Sequence, residues 1–165
     1  MFSLLLSKVI SIVSLLFSLN GETARISTPL SEQQLMSELQ ESYVTVFNTK
    51  PTNQELKIAW AQISFENGRG KKLYNNNFGN IGASSRDSHY KLGPAIFKSN
   101  PSPREGARKY WQHLQKKCPN TLKAFKSGNA SVVSRGLKSC GYYKTSVEHY
   151  SVNLASLAST AQKHL

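Results

Sequence analysis

Residues 53–68, NQELKIAWAQISFENG, decide the architecture. At 100° per residue, Ala59, Trp60 and Ile63 fall within about 60° of Leu56 and form one apolar stripe. Ile58 and Phe65 lie on the far side, so a helix over Asn53–Asn67 is expected to be buried nearly all round. Gly68 stands where a helix C-cap glycine belongs. Glu66 falls about 80° from Leu56, at the edge of the stripe and in the last turn. A carboxyl group there meets an apolar wall and the negative end of a helix dipole, and both disfavour its ionisation. A carboxylic acid that stays protonated near neutral pH is what protonation of a poor leaving oxygen requires. The bland alternative is an ordinary solvated Glu at a helix end.

Upstream, Thr28-Pro29 offers an N-cap hydroxyl followed by Pro at N1, which opens a helix reaching about Phe47, with Leu35, Met36, Leu39, Tyr43 and Val46 at helical spacing. Downstream, Gly68, Gly70, Gly79, Gly82, Gly93 and Pro94 break up residues 68–100. That stretch reads as loops and short strands, with Tyr90–Phe97 the best strand candidate. Ser102-Pro103-Arg104-Glu105 has the form of a capping box and starts a helix carrying Ala107, Tyr110, Trp111 and Leu114 on one face, with Trp111 read as core. Shorter helices are expected over Leu122–Lys126 and Ser131–Lys138. Thr145–Glu148 reads as another capping box, opening a last helix with Val147, Tyr150, Leu154 and Leu157. The fold class is therefore α+β and helix-dominated, with one small irregular or β-containing insert after the second helix.

The chain has 165 residues, enough for one domain with a real core. Twenty-one Lys and Arg stand against nine carboxylates, a net charge of +12. Such a balance favours a polyanionic environment. The basic residues are scattered, in short clusters such as Arg69–Lys71–Lys72 and Lys116–Lys117, and no nucleic-acid motif is present, so nucleic acid is not the expected partner. Val9–Leu19 is apolar apart from three serines and follows Lys8. This is the length of a signal-peptide core and short of the roughly 20 apolar residues a bilayer span needs. Residues 1–21 are expected to be an export signal or an uncleaved N-terminal anchor, and 22–165 a single domain outside the cytoplasm, in the periplasm or at the cell wall. Cys118 and Cys140 form an even pair in a chain that reads as exported, which permits one disulfide, worth about 3 kcal/mol in the chain-entropy model. Neither belongs to a paired-ligand motif, and neither a metal nor a cofactor is expected.

Asn75-Asn76-Asn77-Phe78-Gly79-Asn80-Ile81-Gly82 is strongly biased in composition. Its amides suit the hydroxyl and N-acetyl groups of a sugar; equally, Asn is a residue that visits positive φ in turns. A glycosidase with paired carboxylates would need a partner for Glu66. Asp87 is the one Asp of the chain and lies in the insert, where a base for water or a solvated loop residue are both possible readings. Glu105 and Glu148 fit better as helix caps. This scarcity leaves open a single-acid mechanism in which the substrate's own N-acetyl or 6-hydroxyl group replaces the second carboxylate.

Ile63-Ser64-Phe65-Glu66-Asn67-Gly68-Arg69-Gly70, followed by Asn76-Asn77-Phe78-Gly79-Asn80-Ile81, resembles the bacterial glucosaminidase family, which includes autolysins, the flagellar wall hydrolase and phage lysis proteins. Phe97-Lys98-Ser99 with Ser102-Pro103-Arg104-Glu105-Gly106 and Tyr110-Trp111 resembles its strand and glycine-containing helix. Gly141-Tyr142-Tyr143-Lys144-Thr145 resembles its tyrosine motif. The four motifs stand in the family's order over about residues 53–157. The resemblance implies a lysozyme-like fold, cleavage of the peptidoglycan glycan chain, Glu66 as general acid and Tyr142 at the cleavage site, with Tyr143 beside it. It also implies substrate contacts from the loop of Asn76, Asn77, Phe78 and Asn80, with Phe78 bracing it. Asn67 stands where the family has Ser or Thr, Arg69 where it often has Trp, and no Asp-Pro follows the tyrosine. These departures leave the bond cleaved open: an N-acetylglucosaminidase cut, a muramidase cut or lytic transglycosylation. A non-catalytic wall-binding module on the same fold is the further alternative. The expected partner is peptidoglycan at an anionic wall surface, met by a monomer.

Overall fold

The computed structural model describes residues 21–165, so all but the last residue of the expected export segment lies outside the described residues. Six α-helices and one hairpin follow in order. The first helix, α1 (Glu32–Phe47), is capped by Ser31, whose hydroxyl accepts the Gln34 N–H while the Gln34 side chain accepts the Ser31 N–H. The expected start at Thr28-Pro29 is thus displaced by one turn. The reason lies in the preceding segment, which runs extended beside residues 70–76. There the Thr28 N–H donates to the Leu73 carbonyl at 2.9 Å, and the Thr28 hydroxyl accepts the Asn76 N–H at 3.0 Å.

Helix α2 (Asn53–Asn67) has the expected bounds, opened by a Thr52–Glu55 capping box and closed by Gly68 at φ +60°. Ile58, Ala59, Trp60, Ala61 and Ile63 are fully buried, so the helix is enclosed on both sides as its composition predicted. The strand expected over Tyr90–Phe97 is a hairpin instead: β1 (His89–Leu92) and β2 (Ala95–Lys98) pair antiparallel, with Tyr90 opposite Phe97. Gly93, at φ +58°, and Pro94 make the reversal, and they are the two breakers inside that run.

Ser102 caps α3 (Pro103–Lys117) by accepting the Glu105 N–H. The return bond of the expected box is not made, because the Glu105 carboxylate is drawn to Arg108 (2.7 Å to Nε). Short helices α4 (Pro119–Phe125) and α5 (Ala130–Ser139) follow, then α6 (Val147–Ala161) and a 3-10 turn at Gln162–His164. Ser146, not Thr145, caps α6, accepting the His149 N–H at 3.2 Å. Glu148 is therefore an acidic first-turn residue rather than half of a box.

The most extensive packing is of α2 on α6 and of α1 on α3. Trp111 fills the core between α1 and α3, edge-on to Tyr43 at 5.0 Å, with its indole N–H donating to the Leu39 carbonyl at 2.9 Å. Cys118 and Cys140 are joined by a disulfide that ties the start of α4 to the end of α5. Among the described residues, no helix is long and apolar enough to cross a membrane. Nor are three or more His, Cys, Asp or Glu side chains grouped there to hold a metal.

Candidate active site

Glu66 sits in the last turn of α2 and is half-buried. Its Oε1 accepts a hydrogen bond from the Tyr150 hydroxyl at 3.0 Å. The Asn80 amide donates to the Glu66 backbone oxygen at 2.8 Å and makes a long contact, 3.5 Å, with Oε2. Burial pushes the Glu66 carboxyl above the ordinary carboxylate range, and the hydrogen bonds from Tyr150 and Asn80 pull part of the way back. The net direction is upward, and one side of the carboxyl is open.

That side is a cleft of about 420 Å³. Tyr74, Tyr90, Leu92 and Phe97 give it an apolar, aromatic lining, to which Arg25 and Lys72 add positive charge. The Arg25 guanidinium lies 3.7 Å from the Tyr74 ring centroid, and the Tyr90 and Phe97 rings stack at 5.7 Å. Glu66 is the one carboxylate among the described residues that line this cleft. An apolar groove with a few convergent polar groups is the usual form of a binding site, and flat rings suit the carbon faces of a sugar.

The Asn run proves to be largely architectural. Asn75, Asn76 and Asn80 all have φ near +50°, the left-handed conformation that Asn tolerates better than most residues. Asn76 exchanges hydrogen bonds with Asn100, its Nδ2 to the Asn100 carbonyl at 3.0 Å and the return bond at 3.1 Å. Both ends of the Asn77 amide are taken up by the Ile81 backbone. Phe78 is fully buried under the loop. Asn76, Asn77 and Phe78 therefore shape the loop from within, because their polar groups and ring are already engaged. Asn80 is the exposed amide of the run, and it alone of them lines the Glu66 cleft.

The expected tyrosines divide their roles. The Tyr142 hydroxyl donates to the Gly79 carbonyl at 2.9 Å and so pins the loop one residue before Asn80. Burial holds its phenol protonated. Tyr143 stacks face to face on Tyr150 at 3.8 Å, with its hydroxyl on the Ser134 carbonyl. The tyrosine that touches the Glu66 carboxyl is Tyr150, which helical spacing alone marks as core. The signal available was chemical: a buried tyrosine hydroxyl needs a partner. Asp87 is not brought to Glu66. It accepts bonds from the Ser84 N–H (2.8 Å), the Ser84 hydroxyl and Lys98, which hold it down to about 2, and it lines a different cleft. So low a value makes it a weak base.

Tyr150→Phe keeps the ring that stacks on Tyr143 but removes the bond that favours the Glu66 carboxylate. The Glu66 carboxyl then titrates higher, and the alkaline limb of a pH–activity profile moves to higher pH. An unmoved limb would show that Tyr150 does not tune the acid.

No family model and no curated protein matches the chain in sequence. Solved structures match it in fold. A peptidoglycan hydrolase from Sphingomonas sp. A1 superposes with TM-score 0.58 at 17% identity, over 80% of this chain and 92% of that one. The glycoside hydrolase domain of Salmonella typhimurium FlgJ does so with TM-score 0.56 at 15% identity, over 81% of this chain and 90% of that one. At such identities the likeness is one of fold: the chain shares the helix-dominated architecture of these two structures.

Proposed function

We propose that this chain cleaves the glycan strand of peptidoglycan, as an N-acetylglucosaminidase-type hydrolase with Glu66 as the general acid. The observation that carries the reading is a single carboxyl group, raised by burial, in an aromatic cleft with no second carboxylate among its described lining residues. Glu66 donates its proton to the glycosidic oxygen as the bond to the anomeric carbon breaks. The carbonyl oxygen of the substrate's 2-acetamido group shields the cationic centre that develops, in the place of a protein nucleophile. Water then adds to the anomeric carbon and returns a proton to Glu66. Asn80 holds the acid's backbone, Tyr142 holds the Asn80 loop, and Tyr150 orients the carboxyl.

The same single carboxyl favours one second reading, lytic transglycosylation. There the 6-hydroxyl of a muramic residue attacks its own anomeric carbon, and Glu66 acts first as acid and then as base. Mass spectrometry of fragments released from purified sacculi separates the chemistries. A reducing N-acetylglucosamine end is the expected product. An anhydro-muramic end would establish transglycosylation, and a reducing muramic end a muramidase cut. Binding to sacculi with no fragments released would reduce the protein to a wall-binding module.

The net charge of +12 and the Cys118–Cys140 disulfide support an exported protein working at an anionic, oxidising cell surface.

A further inference from the structure

A second cleft, of about 540 Å³, lies beside the first and is lined by Lys98, Lys109, His113, Lys116 and Lys117, with Asp87 as its one carboxylate. The charges have different degrees of freedom. Asp87 is engaged with Lys98 at 3.2 Å, and Lys109 stands 3.7 Å from Glu105. Lys116 and Lys117, in the last turn of α3, have no carboxylate within 4 Å among the described residues. Four ammonium groups around one carboxylate make a site that favours an anion.

The two clefts share a wall. Residues 80–83 pair with residues 96–98 through an antiparallel bridge between Gly82 and Phe97, the Ala83 N–H on the Ile96 carbonyl (3.1 Å) and the Lys98 N–H on the Ile81 carbonyl (2.9 Å). Asn80 and Phe97 of this pairing line the Glu66 cleft, while Ile81, Gly82 and Lys98 line the lysine cleft. Gly82 is exposed and presents no side chain on the ridge, and a Cβ there would approach nothing closer than the Ile96 carbonyl at 3.9 Å. At Gly82, therefore, no side chain of the ridge stands between the two clefts.

We propose that the lysine cleft is a carboxylate subsite, which takes the acidic peptide branch of a glycan strand held at Glu66. The proposal rests on the glycan-cleaving reading of the first cleft. Its ligand class follows from the chemistry: a branch anchored one ridge away, ending in carboxylates, meets ammonium groups that lack internal partners. His113 reports on the site. Burial and the nearby Lys98 and Lys117 hold its imidazole below the ordinary range, so a bound anion, by offsetting those charges, raises its titration midpoint.

Lys116→Gln/Lys117→Gln tests this in the full chain. Both side chains are exposed, so the fold is expected to survive, which a melting curve checks. On peptide-bearing sacculi the variant should show KM about tenfold higher, the expected worth of two such charge contacts. On glycan strands stripped of peptide by an amidase it should match the parent protein. Equal loss on both substrates, or on neither, would overturn the subsite. A second arm is independent of catalysis. The His113 resonance is followed in the parent protein during titration with a synthetic peptide carrying two carboxylates, and separately with inorganic phosphate at matched ionic strength. Saturable perturbation by the peptide, lost in the variant, supports the subsite even if neither substrate is cleaved, an outcome that would instead sink the catalytic reading. No response, or saturation by phosphate alone, overturns it.

Discussion

Glu66→Gln should abolish fragment release from sacculi while leaving the protein folded and, at neutral pH, more resistant to heat. The loss of activity follows from removing the one carboxyl group among the cleft's described lining residues. General acid catalysis is worth about 10²- to 10⁴-fold, and a cleft with no second carboxylate has nothing to take over the proton. The gain in stability follows from linkage. The Glu66 carboxyl is raised on folding, so the native state holds its proton more tightly than the unfolded state does. The parent protein therefore loses stability as pH rises, from the unfolded value near 4.5 up through the folded one, while the Gln variant does not. Below that window both are neutral and the difference closes. Melting curves of the two proteins from acid to neutral pH measure it directly. Parallel curves would mean that folding does not raise the carboxyl, and undiminished clearing would mean that the acid lies elsewhere. Activity of the parent protein should fall across the same window as pH rises, because the ionised form cannot donate.

Gly106→Ala should have the largest structural effect of any single methyl group at the site. Gly106 lies in the first turns of α3 and is buried against the Asn loop. A Cβ there would overlap the Asn76 carbonyl oxygen and come within 3.1 Å of the Phe78 ring. The flexible end of a side chain could give way, but the obstruction is backbone that Asn100 also grips. Overpacking of this kind costs about 3 kcal/mol, a fall in melting temperature of roughly 10 °C for a chain of this size. Activity should fall further than stability alone accounts for, since the displaced loop carries Asn80. Folding and activity like those of the parent protein would show that helix and loop can separate without consequence.

Much of this arrangement was legible in the residues themselves. The end of helix α2 could be read from Gly68, which takes the left-handed conformation other residues resist, whereas its Thr52 cap went unread. The start of α1 could not be read, since Thr28-Pro29 and Ser31 are both competent caps and the choice is made by a tertiary partner, the 70–76 segment. Gly93-Pro94 marked the reversal inside what read as one strand. The return bond at Ser102 is lost because Glu105 finds Arg108, and the box at Thr145 is lost because the helix starts one residue later, on Ser146. At the site, the position of Glu66 on its helix suggested a carboxyl against an apolar wall, and the resemblance of the surrounding motifs supplied most of the reason to single it out. Periodicity was blind to Tyr150, because a helical stripe shows that a residue faces inward but not what its polar end meets. The Asn run was ambiguous for a physical reason, as the backbone freedom that makes Asn useful in turns comes with an amide able to bind sugars. Asn75 and Asn76 spend the amide on the flanking segments at 23–26 and 99–100, Asn77 spends it on Ile81, and Asn80 turns it towards the acid.

The parts of the cleft come from distant points along the chain. Arg25 and Tyr74 meet across it, the Thr23 N–H is bonded to His89, and the Glu66 carboxyl finds its hydroxyl partner 84 residues later at Tyr150. Helices α1 and α2 consist of local contacts and form quickly, whereas pairings of such sequence separation close late because loop entropy must be overcome first. During synthesis, a nascent chain that has not yet released α6 lacks the group that orients the acid. The setting of the proposed acid is therefore completed at the end of folding, and a chain arrested partway carries Glu66 without it.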